Sequence, residues 1–323
     1  MSYTNRGNIS LTIAVWLAAD DGYDRKFDPI EFSATEILDP VRMIVLKRQL
    51  AAAKTDGSTD IEEMVPSRVG HAVHKAAEVS WIENREKAFK NLGLPQNLID
   101  RIRVNPEEPG PSDSIDIHIE KRTTKELLGY RISGMFDFCI NGIVEDIKTT
   151  KTYNWIKGGN DEKYMHQESI YRWLNPELIT GDFCNIHFMF TDWKAHLSIG
   201  DKEYPPANVM TRTMELMSLE ETEQFISNKL HGIIPHLNKQ QEDLPLCTQH
   251  ELWQDDPVYK WYKGGVKTAR SSKNFATKGE AEAHAAGIGI IITHPAKVKR
   301  CYYCDARLAC TQAAQLSDDG LLQ

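Results

Sequence analysis

Residues 130–150, YRISGMFDFCINGIVEDIKTT, constrain the fold of this chain more than any other stretch. Two apolar runs of strand-forming residues flank Asn141-Gly142. This dipeptide suits a two-residue type I′ turn because both central positions of that turn need a positive φ. The pattern therefore predicts a β-hairpin that turns at Asn141-Gly142.

The register of this hairpin follows from the turn. If Ile140 faces Ile143, then Asp137 lies opposite Asp146, and Lys148 shares the face of Asp146 because side chains alternate along a strand. The reverse face is apolar and carries Phe136, Phe138, Ile140, Ile143 and Ile147. Glu145 falls on that apolar face unless a bulge intervenes, so it is the weaker candidate for a ligand.

Two opposed carboxylates need a nearby positive charge, because directly opposed like charges destabilise a sheet. A divalent cation with oxygen ligands, Mg²⁺ or Mn²⁺, would supply it, and Lys148 would orient water or stabilise developing negative charge. The alternative is a solvated sheet face on which Asp and Lys are ordinary surface residues. Taken alone, the hairpin fits this alternative better.

Composition indicates a soluble, cytoplasmic globular protein. The chain has 323 residues, of which 41% are hydrophobic. No stretch approaches the roughly 20 apolar residues of a membrane span, and the first residues lack a signal-peptide pattern. The net charge of −8 argues against a wholly basic nucleic-acid-coating protein. Residues 260–307, with ten Lys/Arg and three Asp/Glu, could follow a phosphate backbone or form an ordinary solvated basic face.

Helical and strand patterns mix along the chain, which indicates an α/β or α+β fold. We expect an N-terminal segment at 1–66, a core at 67–240 and a C-terminal segment at 241–323. The predicted features, in order, are a turn at Asp20-Asp21-Gly22, a break at Pro40, a helix from Ser67 to Gly93, a strand IDIHIEKR, the hairpin, a helix DEKYMHQESIYRWL, strands FCNIHFMFTD and AHLSIG, and a helix after a capping box at Ser218 and Glu221. Gln167 and Tyr171 lie one helical turn apart, so both could reach one substrate.

Four cysteines suggest a second site. Cys301, Cys304 and Cys310 form C-x2-C-x5-C, and Cys247 lies upstream. In a cytosolic protein this spacing favours metal or cluster ligation over disulfides. Zinc and a [4Fe–4S] cluster both accept four thiolates, although x5 is unusual for a zinc knuckle. Cys139 and Cys184 lie in predicted strands and are expected to be small buried apolar residues.

The order of these features resembles one family. The order is His74, then G-x-x-D at Gly134 to Asp137, D-x-K at Asp146 to Lys148, Q-x-x-x-Y at Gln167 to Tyr171, and the C-terminal cysteines. It resembles the RecB-like branch of the PD-(D/E)xK nucleases, specifically the iron–sulfur members that include the CRISPR-associated exonucleases and the AddB subunit. A C-T-x-x-E-x-W stretch from Cys247 to Trp253 is similar to phage-encoded members.

The resemblance implies a restriction-endonuclease-like α/β core, a central mixed sheet flanked by helices, with a C-terminal cysteine-cluster segment. It implies an Mg²⁺- or Mn²⁺-dependent deoxyribonuclease, an exonuclease on DNA ends, located in the cytoplasm of a host if phage-encoded. A helicase or a single-strand annealing protein would be a possible partner. The implied metal ligands are His74, Asp137, Asp146 and the Ile147 carbonyl. Lys148 would be the catalytic lysine, and Gln167 and Tyr171 would position the DNA strand and the lysine. An iron–sulfur cluster that clamps the C-terminal segment would be bound by Cys247, Cys301, Cys304 and Cys310.

One departure concerns the fourth cluster ligand. Many iron–sulfur members have their first cysteine in an N-terminal Cys-Pro helix, whereas this chain has Asp39-Pro40 there. Either Cys247 or Asp39 could complete the site, and we favour Cys247 because thiolate suits a soft metal better. A three-ligand cluster stays open. The alternative function is a non-catalytic iron–sulfur or zinc module that binds DNA and retains the nuclease fold.

Overall fold

The computed structural model of the chain describes residues 2–19, 27–53, 58–200, 202–268 and 270–322. The turn predicted at Asp20-Asp21-Gly22 lies outside these residues. Across the described ranges, no helix combines the length and the apolar character that a membrane crossing needs.

Helices and strands are mixed along the chain, with runs of three helices and of four strands. The strands are β1 Ser2–Thr4, β2 Glu31–Ser33, β3 Ser58–Asp60, β4 Ile102–Val104, β5 Ile115–Leu127, β6 Tyr130–Ile140, β7 Ile143–Thr150, β8 Phe183–Phe190, β9 Val209–Glu215, β10 Val258–Tyr262, β11 Lys273–Phe275 and β12 Ile290–His294. The helices are α1 Leu11–Ala18, α2 Val41–Ala52, α3 Val65–Ile82, α4 Arg85–Asn91, α5 Gln96–Ile99, α6 Thr152–Lys157, α7 Asp161–Leu174, α8 Leu197–Gly200, α9 Leu219–Ile233, α10 Lys278–Ala285 and α11 Thr311–Asp318.

These elements form two compact units. Unit 1 comprises Met1–Leu38 and Thr55–His231, and unit 2 comprises Asp39–Lys54 and Gly232–Gln323. Residues 39–54 therefore fold with the C-terminal part of the chain. Side chains of α2 account for this, because Arg42 donates to the carbonyls of Gln241 and Leu244. Sequence periodicity cannot report such long-range hydrogen bonds.

Unit 1 is built on a seven-stranded mixed sheet, in agreement with the α/β prediction. The strand order is β4-β5-β6-β7-β8-β9, and β2 pairs with β6. The neighbours β4 and β5, β7 and β8, and β2 and β6 run parallel, and the other pairs run antiparallel. Helices flank this sheet, and the largest fully buried side chains of the unit include Trp173, Phe136 and Phe188.

The predicted hairpin forms, with Asn141 at φ 49° and Gly142 at φ 83°. Its ladder pairs Ile140 with Ile143 and ends at Phe138 with Glu145, one step short of the predicted pair of Asp137 with Asp146. In place of that ladder pair, an Asp137 carboxylate oxygen accepts the amide of Ile147 at 3.2 Å. The predicted opposition of two carboxylates across a regular ladder is therefore wrong, because one carboxylate has taken a backbone donor.

Replacing the turn glycine tests this account of the hairpin. Gly142 and Gly129 both have positive φ, but a Cβ on Gly142 would collide with the Thr180 hydroxyl, whereas Gly129 has open space. We expect Gly129→Ala to lower the unfolding free energy by about 1–2 kcal/mol from backbone strain alone. Gly142→Ala should cost a further ~1–3 kcal/mol from overpacking, measured by urea denaturation. Thr180→Ala should restore that second part, and equal losses in the two single variants would contradict the prediction.

Two predicted elements differ from the structure. The helix expected from Ser67 to Gly93 is two helices, α3 and α4, because the Arg85 guanidinium donates to the carbonyls of Trp81 and Ile82 and ends α3 there. The strand expected at AHLSIG is wrong: Leu197–Gly200 is helix α8, and β9 is the antiparallel partner of β8. A short apolar run does not distinguish the two states without its neighbours.

Unit 2 contains a small antiparallel sheet with the order β11-β10-β12, which the sequence patterns did not predict. Helix α10 lies against it, and its His284 ring contacts Trp261 and Phe275. Basic side chains of the segment are exposed, among them Lys263, Lys267, Arg270, Lys273 and Lys278. The core of the remaining part of the unit is formed by Leu252, Val298, Cys301 and Ala313.

Candidate active site and cysteine cavity

Strand β7 brings Asp146 and Lys148 together on one face, as predicted. The Lys148 ammonium donates to Asp146 Oδ1 at 2.8 Å. Asp146 is only 2% exposed, and its Oδ2 lies 2.8 Å from the same ammonium but receives no hydrogen bond. One buried carboxylate oxygen is thus left with an electrostatic contact alone.

Helix α3 adds His74 beside Asp137. His74 Nδ1 lies 2.9 Å from Asp137 Oδ2, the oxygen that also accepts the Ile147 amide. Burial lowers the pKa of His74, but the hydrogen bond and charge of Asp137 outweigh burial and raise it above the ordinary value. His74 is therefore held as a partner of the carboxylate. The Ile147 carbonyl stays a predicted ligand.

Helix α7 supplies the predicted glutamine and tyrosine. Gln167 Nε2 donates to the Tyr171 hydroxyl at 3.1 Å, and both side chains are buried. A Cβ on Gly134 would lie 2.7 Å from the Tyr171 ring, so only glycine at this strand position lets the ring approach the backbone so closely. One turn before Gln167, the Tyr164 ring lies 5.3 Å from the Lys148 ammonium. These contacts keep α7 against the strands that carry the acidic residues.

Glu168 is a site residue that the sequence reasoning missed. It is 0% exposed, and neither of its carboxylate oxygens has a hydrogen-bond partner. The ionised groups that act on it are Asp146, Lys148 and Asp137. No motif marks this position, and a Glu inside an amphipathic helix is ordinarily taken as exposed. The only hint is the run of polar residues from Gln167 to Ser169, which the structure buries.

The electrostatics of the site reflect this crowding. Burial raises the pKa of Asp146, and the Lys148 ammonium opposes that rise. Burial and then the charge of Asp146 raise the pKa of Glu168 well above its ordinary value. Burial lowers the pKa of Lys148, but the charges of Asp146 and Glu168 outweigh it, and the pKa rises. The lysine is therefore held as a cation in contact with Asp146.

These residues have a donor set that fits a hard divalent cation. Within the described part of the chain, no three His, Cys, Asp or Glu side chains converge closely enough to hold a metal ion. The site residues instead lie in pairs, His74 with Asp137 and Lys148 with Asp146. The buried oxygens of Asp146 and Glu168 that lack hydrogen bonds are the ligand type that Mg²⁺ and Mn²⁺ prefer. An oxygen-binding cation would give Glu168 a partner, whereas Asp146 already has the Lys148 ammonium.

Glu145 contributes to a separate network. Its carboxylate accepts a hydrogen bond from Asn185 at 3.1 Å and lies 3.0 Å from His187 Nε2. Thr211 lies 2.8 Å from the other nitrogen of that imidazole. Both Glu145 oxygens therefore have partners, unlike those of Glu168.

In unit 2, one cavity is lined by Cys247, Cys301, Cys304 and Cys310, together with Arg42. All four are free thiols, as are Cys139 and Cys184, which are fully buried in the strands of unit 1 as predicted. Burial raises the pKa of Cys247 to about 12 and also raises those of Cys301 and Cys304. These thiols are therefore protonated at neutral pH until a metal displaces the protons. Four sulfur donors line this one cavity, and thiolate sulfur is the donor type of zinc and iron–sulfur groups, although no three of these cysteines already lie close enough together to hold a metal ion.

Arg42 is a buried cation in this cavity. It is 2% exposed, and its Nε donates to Cys310 Sγ at 3.2 Å. Its remaining hydrogen bonds go to the carbonyls of Gln241 and Leu244 and to the Thr311 hydroxyl, all neutral groups. A buried guanidinium with neutral partners is costly unless a negative charge lies nearby. The cysteines are the groups that can supply that charge.

The C-T-x-x-E-x-W stretch has a structural explanation. The Thr248 hydroxyl accepts the Glu251 amide, and the Glu251 carboxylate accepts the Thr248 amide, which is a capping box. The next turn brings Trp253 against the Arg300 guanidinium, 5.0 Å from its ring. This motif fixes the backbone directly after Cys247.

Asp39, the alternative fourth ligand, is held in ion pairs. Its Oδ1 accepts from Arg300 at 2.7 Å, and its Oδ2 lies 3.8 Å from the Lys47 ammonium. Asp39 is absent from the residues that line the cysteine cavity, whereas Cys247 is among them.

Comparisons with known proteins give only remote likenesses. No family model matches the chain, and no curated protein matches it. The protein SSO0001 is similar in structure over 73% of this chain and 92% of its own, with a TM-score of 0.41 and 14% identity. A phage-related exonuclease from Haemophilus somnus 129PT is similar over 64% of this chain and 96% of its own, with a TM-score of 0.26 and 11% identity. At this distance the function must be argued from the residues themselves.

Proposed function

We propose that this chain is a metal-dependent DNA nuclease of the RecB-like PD-(D/E)xK type that hydrolyses phosphodiester bonds at DNA ends. The observation that carries the proposal is the buried pair of Asp146 and Lys148, in which both carboxylate oxygens lie 2.8 Å from the ammonium, on the strand next to Asp137. His74 and Asp137 supply further ligands from the neighbouring elements.

In this proposal each residue has a defined task. His74, Asp137 and Asp146 would hold a divalent cation, and His74 Nδ1 lies 2.9 Å from Asp137 Oδ2. When bound, that cation would polarise the scissile phosphate and lower the pKa of the attacking water. Lys148 keeps its proton because its pKa is raised, so it stabilises negative charge that develops on the phosphate.

Gln167 and Tyr171 position the other components. Their mutual hydrogen bond fixes the tyrosine hydroxyl, and Gly134 fixes the ring. The buried location of both side chains suits orientation of neighbouring groups better than proton transfer, since burial raises the pKa of Tyr171 well above its ordinary value.

The test of this function is cleavage of end-labelled DNA by the full chain. Linear and circular substrates, single- and double-stranded, are incubated with Mg²⁺, Mn²⁺ or EDTA. We expect metal-dependent cleavage of linear DNA and none of circular DNA. Cleavage of circles would replace end-directed with internal cutting, and binding without cleavage in any metal would favour the non-catalytic module.

That second function has one supporting observation. The segment that contains β10, β11, β12 and helix α10 exposes several lysines and an arginine, most of them in its loops, with few acidic residues among them. A basic surface of this kind can follow a phosphate backbone with or without catalysis. It predicts DNA binding that weakens steeply with salt.

We further propose that Cys247, Cys301, Cys304 and Cys310 bind a [4Fe–4S] cluster, with zinc as the alternative metal. Either metal with four thiolates carries a net negative charge, and Arg42 offers the matching buried cation. The role of the group is structural, since it would join residues far apart in the sequence of unit 2.

Arg42 provides a test that is independent of nuclease activity. We expect Arg42→Gln to lower the fraction of chains that retain iron and sulfide, or zinc, by about tenfold, because it removes the counter-charge. Arg42→Lys should retain more metal than Arg42→Gln. The matched control is Gln49→Ala, also on α2, since Gln49 donates to the carbonyls of Leu237 and Lys239 but is uncharged. Equal metal content in Arg42→Gln and the wild type would contradict the counter-charge role.

A further inference from the structure

Glu168 has no task in the function proposed above, yet its environment is unusual. A carboxylate that is fully buried and has no hydrogen bond to either oxygen is rare, because desolvation of the group is then uncompensated. Asp146 also has one oxygen without a hydrogen bond, but the Lys148 ammonium lies 2.8 Å from it. Both residues belong to one site, since Asp146 is the charged group with the largest effect on the pKa of Glu168.

The position of Glu168 on α7 explains how it reaches the site. Tyr164, one turn earlier, lies against the Lys148 ammonium, and Tyr171, about one turn later, lies against Gly134. Residues i, i+4 and i+7 share one helix face. Glu168 is therefore on the face of α7 that meets Lys148 and the acidic strands.

Glu168 differs from the other two carboxylates of the site in its contacts. Asp146 contacts the Lys148 ammonium through both oxygens, and Asp137 contacts His74. Neither oxygen of Glu168 has a hydrogen-bond partner. A divalent cation, which takes carboxylate oxygens as ligands, would give Glu168 the partner that it lacks.

We propose that Glu168 is a third carboxylate of the site and binds a divalent cation together with Asp146. The inference rests on the proposed nuclease function for the identity of the site, but it assigns a residue that no motif of the sequence marks. Its chemical class of ligand is a hard cation, Mg²⁺ or Mn²⁺, because the free donors are carboxylate oxygens.

The experiment measures Mn²⁺ binding to the full chain by the electron paramagnetic resonance signal of free Mn²⁺, without DNA. We expect Glu168→Gln to weaken Mn²⁺ binding by at least about tenfold. The matched control is Glu145→Gln, which removes a half-buried carboxylate of β7 that already has hydrogen-bond partners, and it should bind Mn²⁺ within about twofold of the wild type.

Thermal unfolding in EDTA separates binding from folding. Glu168→Gln should melt no lower than the wild type, because it removes a buried acid without hydrogen bonds, and Mn²⁺ should raise its melting temperature less. If Glu168→Gln does not fold, Mn²⁺ binding is measured with Glu168→Asp. Its shorter carboxylate should bind Mn²⁺ more weakly than that of the wild type.

If Glu168→Gln binds Mn²⁺ with wild-type affinity, the inference is overturned and the nuclease function stays intact. The same holds for Glu168→Asp where Glu168→Gln does not fold. Wild-type cleavage in Lys148→Ala would instead overturn the nuclease function, and the Mn²⁺ comparison would still decide the role of Glu168.

Discussion

Lys148→Ala should reduce metal-dependent DNA cleavage by at least about 10²–10³-fold, since it removes the fixed positive charge at the phosphate. The variant should also lose stability in EDTA, because Asp146 would then be buried without the cation that contacts both of its oxygens. Added Mg²⁺ should therefore stabilise Lys148→Ala more than the wild type, as the divalent ion takes over the role of counter-charge.

Cleavage is measured with end-labelled linear DNA under single-turnover conditions, and stability by thermal unfolding with and without Mg²⁺. Lys151→Ala is the matched control: Lys151 is an exposed lysine at the start of α6, and its side chain makes no capping hydrogen bond. Full activity in Lys148→Ala would remove Lys148 from the mechanism. An unchanged melting temperature in EDTA would contradict the role of Lys148 as the counter-charge of buried Asp146.

Cys247→Ser should abolish stable metal retention, whereas Asp39→Asn should leave it nearly unchanged. Cys247 lines the cavity with the other three cysteines, but Asp39 is held by Arg300 and Lys47. We expect the iron and sulfide, or zinc, content of anaerobically purified Cys247→Ser to fall by at least about tenfold. Iron with sulfide identifies the cluster, and zinc without sulfide identifies the alternative metal.

The same variant should also destabilise unit 2. Cys247 and Cys310 lie against the buried cluster of Leu252, Val298, Cys301 and Ala313, so loss of the metal would loosen the core of that unit. Limited proteolysis should cut residues 232–323 of Cys247→Ser faster than those of Asp39→Asn. If Cys247→Ser keeps its metal while Asp39→Asn loses it, the fourth ligand is Asp39; if both keep it, three cysteines suffice.

Local chemistry made several features predictable. Asn141-Gly142 determined the turn because both positions need positive φ, and the two-residue period placed Lys148 on the face of Asp146. Ser218 and Glu221 form the expected capping box, and Gln167 bonds to Tyr171 one helical turn away. Each of these depends on residues close in the sequence, where spacing fixes geometry.

Features that depend on distant contacts were not predictable. The segment AHLSIG was predicted as a strand but contains helix α8. The sheet of β10 to β12 has no strong sequence pattern. Contacts with neighbouring strands determine the structure of such short segments. The two-residue period could not show that Asp137 would bond to the Ile147 amide in place of a ladder pair with Asp146.

The sequence by itself determined the mixed α/β character, the hairpin and the residues Asp146 and Lys148 that share its face. Only the tertiary structure decided that α3 brings His74 to Asp137, that α7 buries Glu168 beside Asp146, and that α2 carries Arg42 to the cysteines. The physical reason is that burial and charge pairing depend on how elements far apart in the chain are packed together, whereas turns and strand faces depend on neighbours.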